Sequence, residues 1–254
     1  MQAHPFTFRF DGKTCLVTGA GAGVGAVIAR SFHAAGARVL VSDMNGQSAR
    51  DVAAALDPTG HTAMGATLDV RRKADFEAAR DQMLAHWQHI DIVVNNAGHA
   101  KRTPVEEISP DEFDDIVAIN MRSVFLSCQV FAEPMKARGY GRIVNVTSLA
   151  GQNGGTVASA HYASAKAGAT MLSKYFAQHL AGTGVTVNAV SPGPIETAKA
   201  RLSAQQIERV ESLVPIHRFA TAQEIASAVA LLASNQGGFF VGATLDLNGG
   251  LLMR

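Results

Sequence analysis

Thr14-Cys15-Leu16-Val17-Thr18 runs into Gly19-Ala20-Gly21-Ala22-Gly23-Val24-Gly25 and then into Ala26-Val27-Ile28-Ala29-Arg30-Ser31-Phe32, and this passage limits the fold more than any other. The first five residues form a short apolar, β-branched run, the mark of a strand buried in a parallel sheet. The last seven have helical periodicity. Between them the absent Cβ atoms let the backbone approach a pyrophosphate, and the helix start offers N–H groups and positive dipole to an anion. The spacing is Gly-x-x-x-Gly-x-Gly over Gly19, Gly23 and Gly25, with Gly21 and Val24 inside the loop. Dinucleotide binding is the expectation; a tight turn without a ligand is the bland alternative.

The rest of the chain alternates in the same way. Strands are expected at 14–18, 37–42, 62–68, 91–95, 141–147, 184–190 and 243–247, with helices near 24–35, 46–56, 72–88, 110–138, 160–181 and 221–234. Strands separated by helices pair in parallel through right-handed crossovers. The expected class is therefore α/β: one Rossmann-like, doubly wound parallel sheet of about seven strands with helices on both faces. The 254 residues are expected to form a single domain. A net charge of +1 predicts neither a nucleic-acid nor an anionic-membrane partner. No apolar run approaches the roughly 18 residues that span a bilayer, and Met1–Phe6 lacks a signal-peptide layout. Cys15 and Cys128 read as small core residues, the histidines lack ligand spacing, and no metal site is expected. The cytoplasm is the default location.

Chemistry enters at Tyr162 and Lys166, four apart on a segment that reads as helix and so on one face of it. A phenol is almost fully protonated at neutral pH. An ammonium beside it favours the phenolate and brings proton exchange with an alcohol oxygen into range. Ser148 follows the buried run Arg142–Thr147, so its hydroxyl is expected at a strand's carboxyl end, where ligands bind in such sheets. Asp43 ends the second expected strand. Its carboxylate can accept from both ribose hydroxyls and would repel a 2′-phosphate; helix capping is its other reading. Ala22 precedes Gly23, and Met44 and Asn45 supply no cation, so NAD(H) is favoured over NADP(H). Asp69-Val70, ending the third strand, suits the adenine amino group or a plain turn.

Thr18-Gly19 through Gly25, Asn95-Asn96-Ala97-Gly98, Asn120, Ser148, Tyr162, Lys166 and Pro192-Gly193 resemble, in order and spacing, the motif set of the short-chain dehydrogenase/reductase family. The resemblance covers essentially the whole chain. Arg218-Phe219-Ala220, Glu224-Ile225-Ala226 and Asp246–Gly250 are similar to the branch of 3-oxoacyl-thioester reductases and many sugar, polyol and steroid dehydrogenases. It implies Tyr162 as general acid/base, Ser148 as holder of the substrate oxygen, Lys166 also on the nicotinamide ribose, and Asn120 holding a water in a proton relay. It implies hydride transfer from the nicotinamide B face. It also places Asn96, Ala97 and Gly98 near the adenosine, Pro192, Gly193 and Thr197 over the nicotinamide and phosphates, and the Ile195 backbone at the carboxamide. Asn95 is expected to brace the sheet, and His99 and His161 to be surface histidines or to face substrate.

The expected substrate is a small carbonyl or secondary alcohol, best a 3-oxoacyl or 3-hydroxyacyl thioester, alternatively a sugar, polyol or other secondary alcohol. The wall Leu149–Gly155 is small and polar, and a lid at 194–215 carries Lys199, Arg201, Glu208, Arg209 and Glu211. Fatty-acid-synthesis reductases of this branch generally use NADPH and carry a carrier-docking arginine where this chain has Gln178-His179; both departures favour an NAD-linked enzyme. A non-catalytic dinucleotide sensor is the remote alternative, and a sugar-nucleotide epimerase would need a further domain. Pairing of the helices near 110–138 and 160–181 implies a homotetramer.

Overall fold

The structure, a computed structural model, describes residues 8–154 and 158–253. Seven parallel strands lie in the order β3-β2-β1-β4-β5-β6-β7. They are β1 (Thr14–Thr18), β2 (Arg38–Asp43), β3 (Ala63–Thr67), β4 (Ile92–Asn95), β5 (Gly141–Val146), β6 (Val185–Pro192) and β7 (Thr244–Leu247). The order reverses between β1 and β4, which pair through Cys15–Ile92, Leu16–Val93 and Val17–Val94. That reversal opens a crevice beyond the strands' carboxyl ends.

Side-chain alternation sorts the core into two layers. Cys15 and Val17 point to one face with α1 (Gly23–Ala34), α2 (Gly46–Leu56) and α9 (Ala222–Ala233). Leu16 points to the other with α3 (Lys73–Trp87), α5 (Ser123–Arg138) and α7 (Ala160–His179). Phe10 stacks on Phe32 at 4.6 Å in the first layer, and Phe76 meets Phe131 edge-on at 6.3 Å in the second. Each fully buried ring of this size contributes on the order of 2–3 kcal/mol. Cys15 and Cys128 are both buried thiols, as expected. Asn95 donates to Asn145 Oδ1 at 2.7 Å, and Asn145 donates to Ser173 Oγ at 2.8 Å, so a buried amide ladder ties β4 and β5 to α7.

Three elements differ from expectation. The helix expected over 110–138 is divided: α4 (Pro110–Val117) passes through a widened π-turn at Ala118–Arg122 into α5. By length and composition Pro110–Arg138 is the one described helix that would cross a membrane, although no apolar run of that length was expected; over half of its apolar window is buried in this fold. Short helices also form where only loop and lid were expected: α6 (Ala150–Asn153), a 3₁₀ turn at Glu196–Arg201, and α8 (Ala204–Leu213). A Ser203–Gln206 capping box starts α8.

Candidate active site

The turn after β1 and the turn after β4 are stitched together across the crevice. Thr18 Oγ1 accepts from the Asn96 and Ala97 N–H groups, each at 3.1 Å. Asn96 Nδ2 returns to the Thr18 and Gly19 carbonyls at 3.0 and 3.1 Å. Gly19 has a left-handed φ of +61° and lies so close to Ala97 that a Cβ would stand 2.8 Å from its Cα. A Cβ on Gly25 would collide with the Gly19 carbonyl. Gly21, Gly23 and Val24 complete the turn, and α1 begins at Gly23 after Ala22 with no side-chain cap and no acid in its first turn. By contrast α2, α4, α8 and α9 are each capped by a side chain. A glycine cradle ahead of an uncapped helix start fits the pyrophosphate of a dinucleotide.

Two acidic positions behave differently from the simplest reading. Asp43 Oδ2 accepts the Gly21 N–H at 3.1 Å and Oδ1 accepts the Asn45 N–H at 2.9 Å. The cap of α2 is Asn45 rather than Asp43, through the Ser48 N–H at 3.2 Å. Asp69 is gripped by the Arg71 guanidinium at 2.7 Å, which also reaches Asp115 at 2.8 Å. That grip lowers the Asp69 pKa. Val70 beside it is buried.

At the carboxyl ends of β4 and β5 the proposed catalytic side chains converge. Ser148 follows β5, and its hydroxyl hydrogen-bonds the Tyr162 phenol. Lys166, one turn along α7, is 4% exposed, donates to the Val146 carbonyl at 2.8 Å and stands 5.8 Å from the Tyr162 ring centre. Asn120 sits in the π-turn and is 1% exposed. Its amide donates to the His99 and Ile116 carbonyls at 2.8 and 2.9 Å and accepts from the His99 N–H at 3.2 Å. Gly98 permits this meeting, because a Cβ there would lie 3.0 Å from Asn120 Oδ1 and 3.3 Å from Lys166 Nζ.

The electrostatics depart from the sequence argument in one respect. Burial pushes the Tyr162 phenol up, opposed only by the Ser148 hydrogen bond. Burial also pushes Lys166 down, to about 8. The site thus holds a protonated phenol, suited to giving a proton to a carbonyl oxygen.

Tyr162 and Ser148 open into a cavity of about 250 Å³. Leu149, Leu202, Val210, Leu213 and Phe219 make it largely apolar, and Lys101 and Arg102 stand on one side. Sequence reasoning missed this lining because it is gathered from five separate segments. Pro192 and Gly193 also line it. Gly193 is held by the Leu247 carbonyl at 2.8 Å, Ile195 bridges to Ala220, and Thr197 is exposed in the 3₁₀ turn. Lys199 and Glu211 close the lid's two helical pieces on each other at 2.8 Å. In the expected polar wall, Gln152 is committed to Ser191 and Asp246; Gly155 lies outside the described residues. His99 is exposed, but His161 is neither at the surface nor in the cavity: it is buried against Glu112. Among the described residues no group of acids, histidines and cysteines is arranged to hold a metal ion.

A family model described as "Enoyl-(Acyl carrier protein) reductase" matches residues 19–252. The 3-oxoacyl-acyl-carrier-protein reductase of Escherichia coli (strain K12) is 38% identical over 248 residues, covering 96% of this chain and 99% of the relative. The D-threitol dehydrogenase of Mycolicibacterium smegmatis is 37% identical over 254 residues, covering 98% and 96%. A solved structure from Brucella melitensis, described as a short-chain dehydrogenase/reductase of the glucose/ribitol dehydrogenase type, superposes with a TM-score of 0.88 at 29% identity, covering 98% and 100%.

These relatives correct the cofactor expectation. The 3-oxoacyl-acyl-carrier-protein reductases are NADPH-dependent, which points to NADP(H) rather than NAD(H) for this chain. The physical fault in the earlier argument is that Asp43 was treated as a free carboxylate. Both its oxygens are engaged by backbone N–H groups, so it braces the glycine turn, and its presence does not select a ribose hydroxyl.

Proposed function

The chain belongs to the short-chain dehydrogenase/reductase family of oxidoreductases acting on CH–OH groups, and from that premise we propose that it reduces a 3-oxoacyl thioester to the 3-hydroxyacyl thioester with NADPH. The observation that carries this reading is the cavity: two hydroxyls at its floor, apolar walls from Leu149 to Phe219, and cations at one side. Such walls suit an acyl chain, whereas a polyol would leave its hydroxyls unpaired against them.

Gly19, Gly21, Gly23, Val24 and Gly25 would hold the pyrophosphate with the start of α1. Asn96, Ala97 and Gly98 would lie along the adenosine side, with Asp43 steadying the loop and Asp69 and Val70 at the adenine edge. Pro192, Gly193, Ile195 and Thr197 would flank the nicotinamide, whose hydride is what the bound cofactor supplies. Ser148 orients the carbonyl oxygen and stabilises charge developing on it. Tyr162 gives that oxygen its proton. Lys166 returns a proton to Tyr162, and Asn120 keeps Lys166 in line with the His99 backbone. Residues 1–254 act as one domain, with 194–215 as its lid. A cytoplasmic homotetramer is part of the reading, supported by the exposed Phe125, Met171 and Tyr175 on α5 and α7.

The test is kcat/KM for acetoacetyl-coenzyme A with NADPH and with NADH, beside D-threitol oxidation with NADP+. The reading expects turnover of the thioester, faster with NADPH. Threitol oxidation with no thioester turnover would move the chain to the polyol dehydrogenases.

A further inference from the structure

The first turn of α7 is capped in an unusual way. Ser159 holds the N-cap position, where a serine hydroxyl ordinarily accepts the N–H two or three residues on. Here it makes no such bond; the hydroxyl donates instead to the Lys101 and Thr103 carbonyls at 2.9 and 3.0 Å. That leaves the N–H of Tyr162 in need of an acceptor. His161 Nδ1 takes it, at 2.9 Å. An imidazole nitrogen that accepts carries no proton, so Nε2 is the protonated one. Nε2 donates to Glu112 Oε1 at 3.0 Å, and the ring is 0% exposed.

Glu112 continues the chain of bonds toward the cavity. Its Oε1 also accepts from Thr103 Oγ1 at 2.6 Å, and its Oε2 pairs with Lys101 Nζ at 3.1 Å. The bonds from Thr103, Lys101 and His161 hold the carboxyl down at about 2, so it stays an acceptor across the working range. The segment it grips includes Lys101, on the cavity wall opposite the lid. One buried ring therefore joins the backbone of Tyr162 to the loop that walls the substrate.

We infer that His161, with Glu112, is a positioning residue: it caps the helix start under Tyr162 and fastens the 101–103 loop to that helix, so that proton donor and substrate wall move as one body. Misplacing a reacting group by a fraction of an ångström is enough to lower turnover. The inference rests on Tyr162 being the proton donor, the reading proposed above, but the tautomer of His161 does not depend on it.

The two are tested separately. In protein labelled with ¹⁵N-histidine, the resonances absent from His161→Phe identify this ring. An unprotonated Nδ1 with a protonated Nε2 is expected, and the opposite tautomer overturns the inference whatever the enzyme's substrate. In kinetics with the thioester, His161→Phe lowers kcat by about tenfold and raises substrate KM, while the NADPH dissociation constant stays within about twofold. His161→Gln keeps a donor toward Glu112 but offers Tyr162 no acceptor, so it restores KM and leaves kcat low. A folded His161→Phe with kcat and KM of the parent contradicts the inference, as does His161→Gln with both parameters equally impaired. If His161→Phe does not fold, Glu112→Ala decides: the loss falls on KM, and an unchanged KM refutes the tether. Activity surviving in Tyr162→Phe would instead defeat the proposed function and leave the tautomer result standing.

Discussion

Replacing Gly98 by alanine puts a methyl carbon 3.0 Å from Asn120 Oδ1 and 3.3 Å from Lys166 Nζ. Both neighbours must give by a few tenths of an ångström, and neither is free to do so. Asn120 is fixed by three hydrogen bonds to His99 and Ile116, and Lys166 is buried on the Val146 carbonyl. Overpacking of this kind costs about 1–3 kcal/mol. The lysine's flexible stem can retract part of the way, which places the cost near 1 kcal/mol and the fall in Tm at roughly 2–4 °C for a chain of this size. The effect on turnover is larger, because the displaced groups are those that return the proton. A shift of a few tenths of an ångström is expected to lower kcat by about tenfold. Thermal unfolding followed by circular dichroism, and steady-state rates with NADPH and acetoacetyl-coenzyme A, measure the two effects on one preparation. A variant that loses stability but keeps the parental kcat would refute the claim that Asn120 and Lys166 must meet over Gly98.

Gly25→Ala drives a methyl into the Gly19 carbonyl and the Asn96 side chain, so NADPH binding by fluorescence titration should be lost before any effect on Tyr162 is seen. Ser148→Ala removes the hydroxyl that meets Tyr162, and kcat for reduction should fall by about 10²-fold while NADPH affinity is retained. With Lys166 lowered to about 8 by burial, the kcat of reduction should decline as pH rises through about 8 and the lysine loses the proton it returns to Tyr162. The same shift has a stability consequence of known sign. Between about 8 and the usual 10.5 the unfolded chain binds more protons at this lysine than the folded one, so its contribution to stability rises with pH across that window. Urea midpoints of the parent and Lys166→Met should therefore converge from pH 7.5 to pH 9.5, and a constant gap would contradict the assignment.

The sheet was readable because its strands are buried on both faces and announce themselves as continuous apolar runs. β1 occupies Thr14–Thr18 as expected, and β6 merely extends to Pro192. The glycine turn, Ser148, Tyr162 and Lys166 were readable because each sits at a strand end or on the helix after it. The π-turn at Ala118–Arg122 was not, since helical periodicity continues through it and only the tertiary pull of Asn120 on His99 shows the extra residue. The start of α8 carried a legible Ser203-x-x-Gln206 capping signal inside what was read only as lid. Asp43 misled for a different reason. Sequence shows a carboxylate at the right strand end, but whether its oxygens are free depends on two backbone N–H groups that only the folded turn presents. His161 misled in the same way, because burial against Glu112 joins α4 to α7 across 49 residues.

The central claim is that Tyr162 carries the proton in NADPH-dependent reduction of a carbonyl. Tyr162→Phe keeps the ring and removes only the hydroxyl, so its turnover of acetoacetyl-coenzyme A should be measured beside its NADPH dissociation constant. The account predicts a loss of about 10²–10⁴ in kcat with cofactor affinity within about twofold of the parent. Turnover within tenfold of the parent, at unchanged affinity, would contradict it.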